Sequence, residues 1–171
     1  MRIEVHLKTV PDFILRAYSP REDDVRSILM DVCQAVGERS EFLVSGFGEE
    51  RWPVDVKTDL PVFLEQLPSV LRAVHEGVAI DIDFYEQGIE RSIALQPAKG
   101  KYLATCKSRT RWQPDPAIEE IPAEELAGML LSAREAFMRA FTDMAPQLSS
   151  HPWIRQWLRG MEKQASTKRK R

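Results

Sequence analysis

Asp81 and Asp83 stand two residues apart in Val78-Ala79-Ile80-Asp81-Ile82-Asp83-Phe84-Tyr85-Glu86-Gln87-Gly88, with Glu90 just beyond. On an extended chain, side chains at i and i+2 leave the same face about 7 Å apart. A carboxylate group of this kind can hold a cation, act as general acid and base, or dock a basic partner. It can also sit solvated on the wet face of a sheet and discourage edge pairing. The glycine and glutamate positions of a calcium loop are missing around Asp81 and Asp83, which weakens the cation reading. Tyr85 adds an aromatic ring to the same stretch. Trp52 and Trp112, each in a predicted loop, are candidate anchors for a partner, and burial under the loop is their alternative.

The remaining chemistry-bearing residues are scattered. His6, His75 and His151 are far apart in sequence, so no two have the close spacing of a metal-binding pair. Gly46-Phe47-Gly48-Glu49-Glu50 begins like a phosphate loop but lacks the later glycine and the lysine, and it places carboxylates where phosphate would sit. Gly-x-Ser-x-Gly is absent. Cys33 and Cys106 are the only cysteines, too few for a disulfide framework, and read as buried small hydrophobes in a reducing cytosol. No catalytic residue, metal ligand or cofactor follows from these spacings, and the chain is expected not to be an enzyme.

The elements that position Asp81 and its neighbours come from hydrophobic period. Val78, Ile80, Ile82 and Phe84 alternate with Ala79, Asp81, Asp83 and Tyr85, which predicts a half-buried strand. Ile89 to Leu95 and Lys101 to Ser108 predict two more strands, joined by the turns Gln87-Gly88 and Pro97-Ala98-Lys99-Gly100 into an antiparallel meander. Shorter strands are predicted at Arg2 to Lys8 and Glu41 to Phe47. Ser19-Pro20-Arg21-Glu22 reads as a capping box opening a helix that stops at Gly37. A second helix begins near Thr58-Asp59, with Pro68 expected to kink it. Residues 109 to 121 read as loop. Pro122 opens a long helix ended by Pro146, and a last helix begins near Ser150. Strands and helices in this order predict an α+β fold: one antiparallel sheet of about four or five strands packed against helices, in a single domain over residues 1–160.

The length, 171 residues, suits one domain with a full core. Hydrophobic residues at 43% and charged residues at 29% are ordinary for a globular chain, and no apolar run approaches the ~20 residues of a membrane span. The start, Met1-Arg2-Ile3-Glu4-Val5-His6, lacks the apolar region of a signal peptide, so a cytoplasmic protein is expected. Net charge is −2, but residues 161–171 carry five basic side chains and one acidic. The rest of the chain holds 19 basic and 25 acidic residues, a body near −6. The segment 161–171 is expected to be a disordered basic tail, a poor footprint for nucleic acid beside an acidic body.

Ile82-Asp83-Phe84-Tyr85-Glu86-Gln87-Gly88-Ile89-Glu90-Arg91, followed by Cys106-Lys107-Ser108 and a helix with Ala136-Phe137, resembles families of bacterial immunity proteins encoded beside polymorphic or contact-dependent growth inhibition toxins. The resemblance spans roughly residues 55–145. It implies a cytoplasmic toxin inhibitor that binds the C-terminal domain of one cognate toxin, expected to be a basic nuclease. No functional residue carries over from those families one by one. The physical reading supplies the expected partner-binding set: Asp81, Asp83, Tyr85, Glu86, Glu90, Trp52 and Trp112. An acidic surface with aromatic anchors suits fast encounter with a basic cleft and slow release. The alternatives are a small cytosolic enzyme that gathers a histidine and carboxylates from distant segments, or a general adaptor.

Overall fold

A computed structural model describes residues 1–162 other than Asp12 and Leu15. Strand β1 (Arg2–His6) pairs antiparallel with β2 (Glu41–Ser45), Val5 opposite Phe42. A separate antiparallel sheet runs β3 (Ile80–Phe84), β4 (Arg91–Ala98), β5 (Lys101–Ser108) and β6 (Ile118–Pro122) in chain order. The helices are α1 (Val25–Val36), α2 (Asp59–Glu76), α3 (Ala123–Met144) and α4 (Pro152–Glu162). The fold is α+β with a four-stranded antiparallel sheet packed against helices, as the element order implies, and β1 and β2 form a further two-stranded sheet. Of the predicted basic tail, 161–171, Met161 and Glu162 belong to α4 instead, and residues 163–171 lie outside the described residues.

Alternation builds the four-stranded sheet. Ile82, Phe84, Ile93, Leu95, Tyr102, Ala104, Cys106 and Ile121 all point inward and are buried, while Asp81, Gln96, Lys107, Ile118 and Glu120 face out and are exposed. The inner face is fastened to α2 by the buried Tyr102 hydroxyl, which donates to the carbonyl oxygens of Ala73 (3.2 Å) and Val78 (3.3 Å). Helix α2 is the hub: it packs against β3 and against each of the other three helices. A buried side of Leu60, Phe63, Leu64, Leu67, Val70 and Leu71 allows this, since a helix apolar around most of its girth belongs inside.

Two local departures from the sequence reading have physical causes. Helix α1 starts at Val25 rather than Pro20, because Asp24 and Ser27 make the capping box while Ser19 and Asp23 close a separate turn. Strand β6 replaces a predicted loop: two glutamates and a proline leave only Ile118 and Ile121 to signal a strand, and only Ile121 is buried. Helix α2 runs through Pro68. The free edge of β3 is blunted by Gln66, whose side-chain amide accepts from the Asp83 N–H (2.9 Å) and donates to the Asp83 carbonyl (2.8 Å).

Candidate partner-binding surface

The outer face of the β3–β6 sheet carries no helix among the described residues. Asp81 begins one row across it, opposite Ala94, then Thr105 and Ile118; Asp83 begins the next, opposite Ser92 and Lys107. Ile118 is 55% exposed, unusual for an isoleucine, and stands at the far end of the Asp81 row. The face is therefore acidic at the β3 edge and mildly apolar at the β6 edge.

At one end of the sheet the β3–β4 connection forms a tight turn, with the Ile89 and Glu90 N–H groups donating to the Glu86 carbonyl (3.3 and 3.2 Å). Gly88 has φ +96° and Glu90 φ +40°, and the glycine takes the first at no steric cost. This turn presents Tyr85, 42% exposed. Partial burial, the largest cause, raises the Tyr85 hydroxyl above its ordinary pKa.

The acidic residues of the expected set do not stand alone. Arg109 donates to an Asp83 carboxylate oxygen at 2.7 Å, held in place by its own N–H on the Glu90 carbonyl (2.9 Å). Arg26, from α1, donates to Glu86 at 3.0 Å, lies within 3.9 Å of Glu65, and sits 5.4 Å from the centre of the Tyr85 ring. Among the described residues, Asp81 and Glu90 make no ion pair. The structure thus sets Asp81, Asp83 and Tyr85 at alternate positions along β3 and just past its end, with Glu86 and Glu90 in the turn, and pairs Asp83 and Glu86 with arginines. Pairings across 26 and 60 residues leave no mark in local sequence.

The tryptophans fall elsewhere. Trp52 is 1% exposed, so it is a core residue and not a surface anchor: its indole N–H reaches the Gly46 carbonyl (3.2 Å) and its ring meets Phe84 edge-on at 5.7 Å. Trp112 is half-buried beside it, at 6.0 Å. Arg91, an inward residue of β4, lies 4.7 Å from the Trp52 ring centre and 3.5 Å from that of Trp112, and makes an ion pair with Glu49. Arg91 is 3% exposed. Strand parity signals it, since Arg91, Ile93 and Leu95 share a face.

The histidines stay apart. His6 sits beside Glu4 at 3.3 Å on the exposed side of β1, and His151 packs its ring against Trp153 at 4.7 Å. Among the described residues, no three of His, Cys, Asp and Glu are grouped to hold a metal ion, and no helix is long and apolar enough to cross a membrane. Cys33 and Cys106 are buried free thiols, and burial raises both, Cys106 to about 11. Comparison with known proteins finds no matching family model, curated protein or solved structure.

Proposed function

We propose that the protein is an immunity protein, binding the C-terminal domain of a cognate toxin of a contact-dependent growth inhibition or related polymorphic toxin system and blocking its active or substrate surface. The observation that supports this reading is the acidic end of β3 and its turn, where Asp83 and Glu86 lie near the exposed ring of Tyr85 and Asp81 and Glu90 add further carboxylates along the strand and the turn. A basic partner meets two unpaired carboxylates there and two others held by partly exposed arginines. Surface ion pairs of that kind contribute about 0–1 kcal/mol each, so a partner's lysine or arginine can displace Arg26 or Arg109 at little cost. Tyr85 supplies an apolar anchor beside them.

The toxin to test is the C-terminal domain of a large secreted protein encoded beside this chain. Co-expression should protect cells from that toxin and not from unrelated ones, and the purified pair should elute as a one-to-one complex. The Asp81→Lys, Glu90→Lys double variant should melt with the wild type and lose protection. Full protection by that variant would remove the corner from the site, and failure of the wild type to bind any adjacent toxin domain would end the immunity reading.

A further inference from the structure

We propose that the free edge of β1, facing α3, is a docking groove that takes an extended acidic peptide of a partner protein as an added strand. Backbone accounting leads to it. In an antiparallel pair, successive residues direct their N–H and C=O groups alternately toward and away from the partner strand. The Ile3 N–H donates to the sulfur of Met129 on α3 (2.9 Å), so odd-numbered residues of β1 point to α3. The Lys8 N–H reaches Ser40 Oγ, just before β2, at 2.9 Å, which fixes even numbers on the other side. Val5 and Leu7 therefore aim their backbone groups at α3, and among the described residues no acceptor meets the Leu7 N–H.

Contacts from within meet the outer edges of β3, β2 and β1 at single positions. Gln66 plugs β3 at Asp83, the Trp52 N–H closes β2 at the Val44 carbonyl (2.8 Å), and Met129 closes β1 at Ile3. The β1 edge opens only beyond Ile3, and there it borders a groove of about 540 Å³ lined by residues 5–9 and by Ala136, Arg139, Ala140 and Asp143. Those four lie on one face of α3 at helical spacing, and the two alanines keep the helix wall low. An unpaired strand edge beside a helix is the geometry of strand addition, in which backbone bonds give affinity and the flanking walls give selectivity.

Charge selects the occupant. Lys8 and Arg139 line the groove without an ion-pair partner among the described residues, against Asp143 alone, so the groove is locally positive on a body that is acidic overall. A strand bearing carboxylates on alternate residues fits it. The inference stands apart from the immunity reading, since it uses neither the acidic corner nor any toxin.

The test uses the full chain and a labelled acetyl-Glu-Val-Glu-Val-Glu-Val-Glu-amide probe, with a counterpart in which every Glu is Lys. Saturable binding of the Glu probe is expected, with amide shifts confined to residues 3–9 and the facing turns of α3. The Lys probe should bind about tenfold more weakly, and Arg139→Glu should reverse the preference. Leu7→Pro deletes the groove-facing N–H, whereas Leu7→Ala trims the side chain and keeps it. The proline variant should lose about tenfold in affinity relative to the alanine variant, the value of a backbone hydrogen bond at the upper end of its range. No saturable binding, equal binding by both Leu7 variants, or a dimer that Leu7→Pro dissolves would overturn the proposal, the last in favour of a second copy of the chain.

Discussion

The indole N–H of Trp157 in α4 donates to the carbonyl oxygen of Leu64 in α2 at 2.9 Å, in the protein interior. Leu64 lies four residues before Pro68, which has no N–H to give back to it, so the proline inside α2 leaves this carbonyl without its helical partner. Trp157 fills the gap. Close packing accompanies the bond: a Cβ built on Gly160 would stand 3.0 Å from the Pro68 Cβ, so α4 approaches α2 where a side chain has little room.

This bond makes Trp157 and Pro68 energetically coupled. Trp157→Phe should cost about 2 kcal/mol in the wild type, because a buried carbonyl loses the donor that stands in for the missing Pro68 amide. In a Pro68→Ala background the restored amide takes over, and the same change should cost about 1 kcal/mol less. Urea unfolding of the four proteins of the cycle measures the difference, and additivity within about 0.3 kcal/mol would show that Pro68 is irrelevant to the Trp157 bond.

Arg91 and Glu49 should respond unequally to substitution. The Arg91 side chain is 4% exposed and that of Glu49 28%, so water can compensate the glutamate but not the guanidinium. Glu49→Gln strands a buried cation and should cost about 3 kcal/mol. Arg91→Met keeps an apolar body between Trp52 and Trp112 and frees a carboxylate that can turn to solvent, for about 1 kcal/mol. Denaturant midpoints rank the two variants, and the reverse ranking would refute the sandwich as the reason Arg91 is buried.

Asp59 gives the fold a pH dependence of definite sign. Its carboxyl is 4% exposed, one oxygen accepts the Asp55 N–H (2.9 Å) and the other has no partner among the described residues. Burial chiefly, with the Asp55 and Glu86 carboxylates adding to it, raises the group to about 6. The unfolded chain releases this proton near 3.9. The contribution of neutral Asp59 is therefore full below pH 4 and is lost as pH rises through 6. Asp59→Asn should match the wild type near pH 4 and exceed it by roughly 2 kcal/mol above pH 7. Parallel stability profiles across that range would show that Asp59 is charged in the folded protein at every pH tested.

Where a residue's role depended on its own strand or helix period, the sequence sufficed. The starts of α2 at Asp59 and of α3 after Pro122, the inward Ile82, Phe84 and Ile93, and the outward Asp81 and Asp83 all follow from spacing. Roles created by contacts across the chain did not show. Trp52 gave no local sign of burial, Arg26 and Arg109 gave none of reaching Glu86 and Asp83, and β6 is a strand because β5 offers it an edge. The Tyr102 to Ile121 register supplies the burial that its own sequence barely encodes.

The pairing of Asp83 with Arg109 and of Glu86 with Arg26 makes the acidic corner separable by charge reversal. Asp81 and Glu90 make no ion pair among the described residues, so Asp81→Lys and Glu90→Lys should each change stability by less than about 0.5 kcal/mol. Asp83→Lys and Glu86→Lys each exchange an ion pair for a like-charge contact and should cost about 1 kcal/mol, seen as a lower melting temperature. Binding should sort the same residues differently. If a basic partner docks on the corner, all four substitutions slow association and flatten its dependence on salt, because steering acts through net local charge rather than through individual pairs. Melting curves for the four variants, with association rates at low and high salt, read both orders at once. Unchanged rates alongside the expected melting pattern would leave the corner intact as structure and exclude it as the docking surface.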